Sequence, residues 1–123
     1  MKTMKKTAAA SRAKAKKLLE IILDKHPEDP LVLDLRGLDL IWDFFVIVSS
    51  TSGPHARAML EELLQASKRQ GLAIHHSEKD ELDQWFLIDY GDVCFHIFSQ
   101  EKRSFYSLAR LFKGAKKVRF RFK

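Results

Sequence analysis

Cysteine is nearly absent from this chain of 123 residues, and Cys94 stands alone. A single thiol excludes an internal disulfide and any cysteine cluster for zinc or iron–sulfur, and a reducing compartment is the natural setting. Long apolar runs are missing as well. The best candidate, Phe44 to Val48 behind Asp43, falls far short of the roughly 20 residues of a membrane-spanning helix, so no membrane partner is expected. No internal repeat is present, and no low-complexity tract beyond the N-terminus. What remains is ordinary for one soluble domain: 46% apolar and 31% charged residues, enough chain for a single hydrophobic core.

Acidic residues are absent from both ends, and this changes the meaning of the net charge of +6. Residues 1–17 hold seven Lys or Arg and residues 113–123 hold six, with no Asp or Glu in either segment. The middle of the chain therefore carries nine basic residues against all 16 acids, about −7. An acidic body flanked by basic ends is no basic nucleic-acid platform, yet each end suits phosphate contact. A plain solvated terminus explains the same composition, and both readings stand at this point. The division expected is a basic N-terminal extension over 1–14, a folded domain over 15–112 and a basic tail over 113–123.

Periodicity predicts the elements. Ser11 to Lys25 reads as a helix with Ala15, Leu18, Ile21 and Ile22 at helical spacing, stopped by Pro27 and Pro30. Leu31 to Leu35 alternates like a strand and breaks at Arg36-Gly37. Asp43 to Ser49 is apolar on both faces, as a central strand is. Thr51 or Ser52 caps a second helix, with Pro54 in its first turn, Ala58, Leu60, Leu63, Leu64 and Ser67 as its packing side, and Gly71 at its end. Leu72 to His76 is a weaker strand, followed by an acidic loop over 77–84. A hairpin starts at Trp85. Ser99 then caps a helix from Gln100 to Phe112 whose inward stripe is Phe105, Leu108 and Phe112, with Ala109 and Leu111 beside it. The basic tail alternates at Val118, Phe120 and Phe122, which fits an added strand or a free end. The order is α-β-β-α-β-β-β-α, and the fold class is α/β (α+β): helices on a mixed sheet.

The segment Trp85 to Phe112, WFLIDYGDVCFHIFSQEKRSFYSLARLF, carries the most functional information. With Gly91-Asp92 as a two-residue turn, Tyr90 faces Val93, Ile88 faces Phe95 and Phe86 faces Ile97, all apolar and all on one side. The other side holds Trp85, Leu87, Asp89, Cys94, His96 and Phe98, a mixed face that needs a partner or a cover. A slip of one residue would scramble both faces, so the register is well specified.

Several chemistries can be weighed on these residues. A Cys94-His96-Asp89 arrangement can be written down, but neighbours on a flat hairpin build no cleft, and hydrogen bonding of Asp89 and His96 to their surroundings is the simpler account. His55, His75 and His76 match no zinc spacing, and adjacent strand residues point apart, so no metal is expected. SSTSGPHAR at 49–57 sits where a phosphate loop would, but it lacks a Walker or dinucleotide pattern and reads as an N-cap. Trp85 and Phe98, cross-strand neighbours at the open end of the hairpin, are either core covered by a helix or an aromatic anchor at a protein interface, and polar Asp89 and His96 beside them favour the interface.

Together, LVLDLRGLDLIWDFFVIVSSTSGPHARAML, WFLIDYGDVCFHIF and RSFYSLARLF resemble the Iojap-related ribosomal silencing factors, over roughly residues 15–112. The resemblance implies a nucleotidyltransferase-like fold, no catalysis and no cofactor. It also implies docking on the large ribosomal subunit through its fourteenth protein, which blocks subunit joining and represses translation. By position the partner-binding face would be Trp85, Leu87, Asp89, Gly91, Asp92, His96 and Phe98. Contact of the basic tails with rRNA is expected, and a homodimer is compatible. The expected location is the cytoplasm, with an organelle matrix as the alternative. Arg110 stands where the family commonly has an acid. No Asp-x-Asp or Asp-x-Glu pair falls on an expected strand, so a nucleotidyltransferase-like enzyme is the weaker alternative. An RNA-binding module assisting large-subunit assembly is another.

Overall fold

FFVIVSS over Phe44–Ser50 has no polar face to give to water, so only the middle of a sheet can hold it. All seven residues of this strand, β2, are buried. The structure is a computed structural model that describes residues 4–105 and 112–122, with side chains over 10–104 and 112–122. The elements are α1 (Met4–Ile21), β1 (Glu28–Asp34), β2, α2 (Gly53–Gln70), β3 (His76–Lys79), β4 (Trp85–Asp89), β5 (Val93–Ser99), α3 (Gln100–Phe105) and β6 (Lys116–Val118). A 3-10 turn over Leu23–Lys25 follows α1.

The strands form one sheet in the order β3-β4-β5-β2-β1-β6. β2 and β5 run parallel, and every other neighbouring pair is antiparallel. The fold is a mixed α/β sheet, as the periodicity implied. Alternation along β2 splits its side chains between two layers. Phe44, Val46 and Val48 join Ala15, Leu18, Ile22, Met59, Leu63, Ile88, Phe95 and Ile97 under α1 and α2. Phe45 and Ile47 join Leu33, Leu35, Cys94 and Phe98 on the opposite side.

The ends of α2 follow from three residues. The Ser52 hydroxyl accepts from the His55 amide at 3.1 Å, with Pro54 in the first turn. Gly71 takes φ +69°, which lets its own amide and that of Leu72 close on the carbonyls of Lys68 and Ser67. This double closure satisfies the Ser67 and Lys68 carbonyls in the last turn and turns Leu72 onto the core.

Three expectations need adjustment, and one open choice is decided. α1 begins at Met4, well before Ser11, and gives up its last turn to the 3-10 turn. The buried stripe of α2 is Ala56, Met59, Leu63, Ala66 and Ser67. Ala58 faces solvent, because at the helical repeat it falls on the side away from Ala56, Met59, Leu63 and Ala66. The weak strand lies at His76–Lys79 and not at 72–76. It is a fully exposed edge strand on β4, so neither face needs apolar residues, while Leu72 and Ile74 pack as loop. β6 forms and pairs Val32 with Val118. The expected stripe of the last helix at Leu108, with Ala109 and Leu111, and the Phe105 side chain lie outside the described residues.

Candidate partner-binding face

The hairpin pairs in the expected register: Trp85 with Phe98, Phe86 with Ile97, Leu87 with His96, Ile88 with Phe95 and Asp89 with Cys94. The Tyr90 amide closes on the Val93 carbonyl at 2.8 Å. Gly91 turns the chain at φ +97°, and a Cβ there would lie 2.7 Å from the His75 ring. Glycine suits this position, since φ +97° strains any side chain and a Cβ would have to push the exposed His75 ring aside.

On the mixed face the seven predicted site residues separate into three depths. Trp85, Leu87 and Asp89 are half-buried on β4. His96 and Phe98 are buried beneath them, at 3% and 0% exposure. Gly91 and Asp92 sit at the turn, and Asp92 is drawn to the other side by an ion pair with Lys14 of α1 at 2.7 Å.

Trp85 is held from several directions. Its indole stacks on Phe98 with ring centres 5.3 Å apart and an interplanar angle of 19°. Its Nε1–H donates to His96 Nδ1 at 3.2 Å. The Asp80 carboxylate accepts from the Gln84 and Trp85 amides at 2.6 and 3.2 Å, which fixes the entry into β4. An indole N–H only donates, so His96 must accept at Nδ1 and carry its proton on Nε2. That Nε2 finds no acceptor among the described residues. Burial pushes the His96 pKa down to about 4, so the ring is neutral and can accept from Trp85.

Asp89 is occupied as a structural acceptor. Its Oδ1 takes the Gly91 amide at 2.7 Å and the Trp42 indole N–H at 3.2 Å. Trp42 was not among the expected site residues. The loop that carries it also exposes Leu40 and Ile41, at 38% and 76%. Three consecutive apolar residues in a connection that is neither helix nor strand were the available signal. Across the hairpin, Cys94 is buried, and desolvation together with the Asp89 charge pushes its thiol up to about 12. A thiol held protonated in this way is a poor nucleophile.

The remaining candidates have local roles. His55 meets the Lys25 carbonyl at 2.7 Å through Nε2, and the Thr51 amide donates to its Nδ1 at 2.9 Å. His76 pairs with Glu78 at 2.6 Å. Among the described residues, no three His, Cys, Asp or Glu side chains converge as a metal site.

Beside Trp85 and Leu87 lies a shallow pocket of about 160 Å³, completed by Glu78, Lys79 and Asp80. The site is therefore a rigid aromatic face with carboxylates at its rim. Such a constellation can dock a partner.

The architecture belongs to a known structural group. A crystal structure from Bacillus halodurans superposes with a TM-score of 0.77 at 30% identity, covering 89% of this chain and 99% of that one. The family described as "RsfS: Ribosomal silencing factor during starvation" matches residues 8–122. The ribosomal silencing factor RsfS of Halalkalibacterium halodurans is 37% identical over 95 residues, 77% of this chain and 81% of that protein. The mouse protein named "Mitochondrial assembly of ribosomal large subunit protein 1" is 29% identical over 98 residues, 76% of this chain and 42% of its own length. The chain belongs to the ribosomal silencing factor family.

Proposed function

We infer that the chain docks on the large ribosomal subunit through the face built by Trp85, Leu87, Asp89 and Trp42, and that its presence there sterically blocks joining of the small subunit and so represses translation. The observation that carries this reading is the state of Trp85: half-exposed, yet locked by the Phe98 stack and the His96 hydrogen bond. A large ring fixed in its bound orientation loses little entropy on docking, which is what makes Trp a frequent hot spot. His96 and Phe98 contribute from below by holding that ring. Gly91 and Asp92 shape the turn at the rim.

Glu78, Asp80 and Asp89 lie on or beside the face, and the body of the chain is acidic. A basic ribosomal protein is the complementary partner, and the family resemblance points to the fourteenth protein of the large subunit. The mechanism is occupancy and not turnover, so inhibition of subunit joining should saturate at one factor per large subunit. A role in large-subunit assembly is the second reading, favoured by the name of the mouse relative. The bacterial relative suits the cytoplasm, and the mouse relative keeps an organelle matrix as the alternative.

Sedimentation with separated subunits tests the leading reading. The protein should travel with the large subunit, lower the yield of joined ribosomes, and lose both effects on Trp85→Ala. Normal pelleting by a folded Trp85→Ala protein would reject this face.

A further inference from the structure

The two acid-free ends of the chain meet in space. β6 adds to the free edge of β1, and the segment after it runs back toward α1. Its residues alternate in the described structure. Val118, Phe120 and Phe122 are half-buried against the core, while Lys117, Arg119 and Arg121 are exposed. From α1, Arg12 lies over the Phe120 ring at 5.0 Å and Lys16 over the Phe122 ring at 5.9 Å. The spacing agrees on both sides, since residues four apart on a helix and two apart on an extended chain are both about 6 to 7 Å apart. Among the described residues, none of these five cations forms an ion pair. The ion pairs involve Lys14, Arg36, Arg57, Arg69, His76 and Lys79 instead.

Arg12 and Lys16 stand on the ring side of this segment and Lys117, Arg119 and Arg121 on its exposed side, so cations of one sign flank the same stretch of chain. A guanidinium whose face lies over a ring still presents its edge N–H groups, the geometry that grips a phosphate in bidentate fashion. Beside the tail runs a groove of about 670 Å³ with Leu19, Leu23 and Val32 in its lining, rimmed by Lys117, Arg119 and Arg121.

We propose that α1 and the C-terminal segment form one composite RNA-backbone site at the β6 edge of the sheet, distinct from the Trp85 face. β6 is four strands away from β4 in the sheet, about 19 Å at ordinary strand spacing. One partner can therefore be held at both places. The ligand class is the RNA phosphodiester chain, read without sequence preference. A narrow row of cations on an acidic body suits a linear polyanion that can track it, whereas a flat anionic membrane would also face the repelling carboxylates of the body. The identification of the polyanion as RNA rests on the ribosomal reading above.

The test is binding of fluorescent oligouridine and an RNA hairpin to the full chain at increasing salt, by anisotropy. Measurable affinity is expected at about 0.15 M salt. The log–log salt slope should lie near −3 to −4, as expected for four to five phosphate contacts. The exposed triple variant K117Q/R119Q/R121Q should fold normally by circular dichroism and lose about two to three units of slope. R12Q/K16Q, on the other segment, should lose about one to two. Trp85→Ala should bind RNA as the wild type does. Wild-type affinity and slope in the triple variant would overturn the proposal, and so would dependence on only one of the two segments. Displacement of RNA by polyglutamate or phosphatidylserine vesicles at equal charge would overturn the choice of RNA. Large-subunit pelleting by Trp85→Ala is read separately, so a failed docking face and a failed RNA edge give different results.

Discussion

At the β4–β5 end of the sheet, Trp85 and Phe98 stack at 5.3 Å across a hairpin closed by a two-residue turn. At the β1–β6 edge, Arg12 and Phe120 meet at 5.0 Å from opposite ends of the chain. The first region is anchored into a buried layer: its aromatic residues continue into Phe45, Ile47 and Cys94, and the Trp85 indole N–H bonds His96 Nδ1. The second is shallow, with half-buried rings inside and free cations outside. What separates them is where their energy goes. Removing a side chain from the hairpin should cost stability and docking together. Removing a charge from the edge should leave the fold untouched and alter only attraction to polyanions.

The largest expected effect tests the first half of that contrast. Phe98→Ala empties a fully buried ring site under Trp85 and should cost about 3–5 kcal/mol of unfolding free energy, measured by urea titration. A loss below about 1 kcal/mol would mean that the layer can collapse around the gap, which aromatic deletions seldom allow.

Acid should act next, and also through the hairpin. The folded His96 pKa of about 4 lies below its ordinary value of 6.5. Between those pH values the unfolded chain takes up a proton that the buried ring refuses. The His96 contribution is complete above pH 6.5 and falls away as the pH drops toward about 4, by on the order of 3 kcal/mol. Urea midpoints at pH 7.5 and 4.5 should differ by less in His96→Phe than in the wild type. An equal difference in both proteins would assign the acid sensitivity to other groups.

Trp85→Ala should weaken large-subunit binding by about 2 kcal/mol or more, some thirtyfold, as read from pelleting isotherms. Tyr90→Phe is a smaller perturbation on the covered side of the hairpin. It removes the 2.8 Å bond to the Ser67 hydroxyl and should cost about 1–2 kcal/mol, by thermal or urea unfolding. The edge comes last. Arg119→Gln and Arg121→Gln should each change stability by less than about 0.5 kcal/mol. A larger loss would make these arginines structural and erase the difference between the edge and the hairpin.

Much of the hairpin could be read in advance, because its information is local. The Gly91-Asp92 turn sets which residues face each other, and period-2 alternation sorts them into two faces. β2 was equally legible, since a run that is apolar on both faces has only one place to go. Leu72 and Ile74 misled by looking like a strand, whereas His76–Lys79 pairs with β4 by backbone bonds alone and advertises nothing in its side chains. Trp42 escaped notice because its role is a bond to Asp89, 47 residues away in the chain, and no spacing rule reaches that far. The burial of His96 and Phe98 was hidden for a similar reason. The mixed face needed either a partner or a cover, and Leu38, Trp42, Phe112 and Ala115, packed on the same layer, supply part of the cover.

The sequence by itself determined the class of fold, the register of the hairpin, the acidic body and the family. These rest on periodicity, turn chemistry, charge count and motif, all of which act over a few residues or over the whole composition. Tertiary structure alone decided that Trp85 is braced by His96 and Phe98, that Asp92 turns toward Lys14, and that the two basic ends share one edge. Each of those depends on packing between elements distant in the chain, where the free energy of closing a long loop is repaid only by contacts that form at its end.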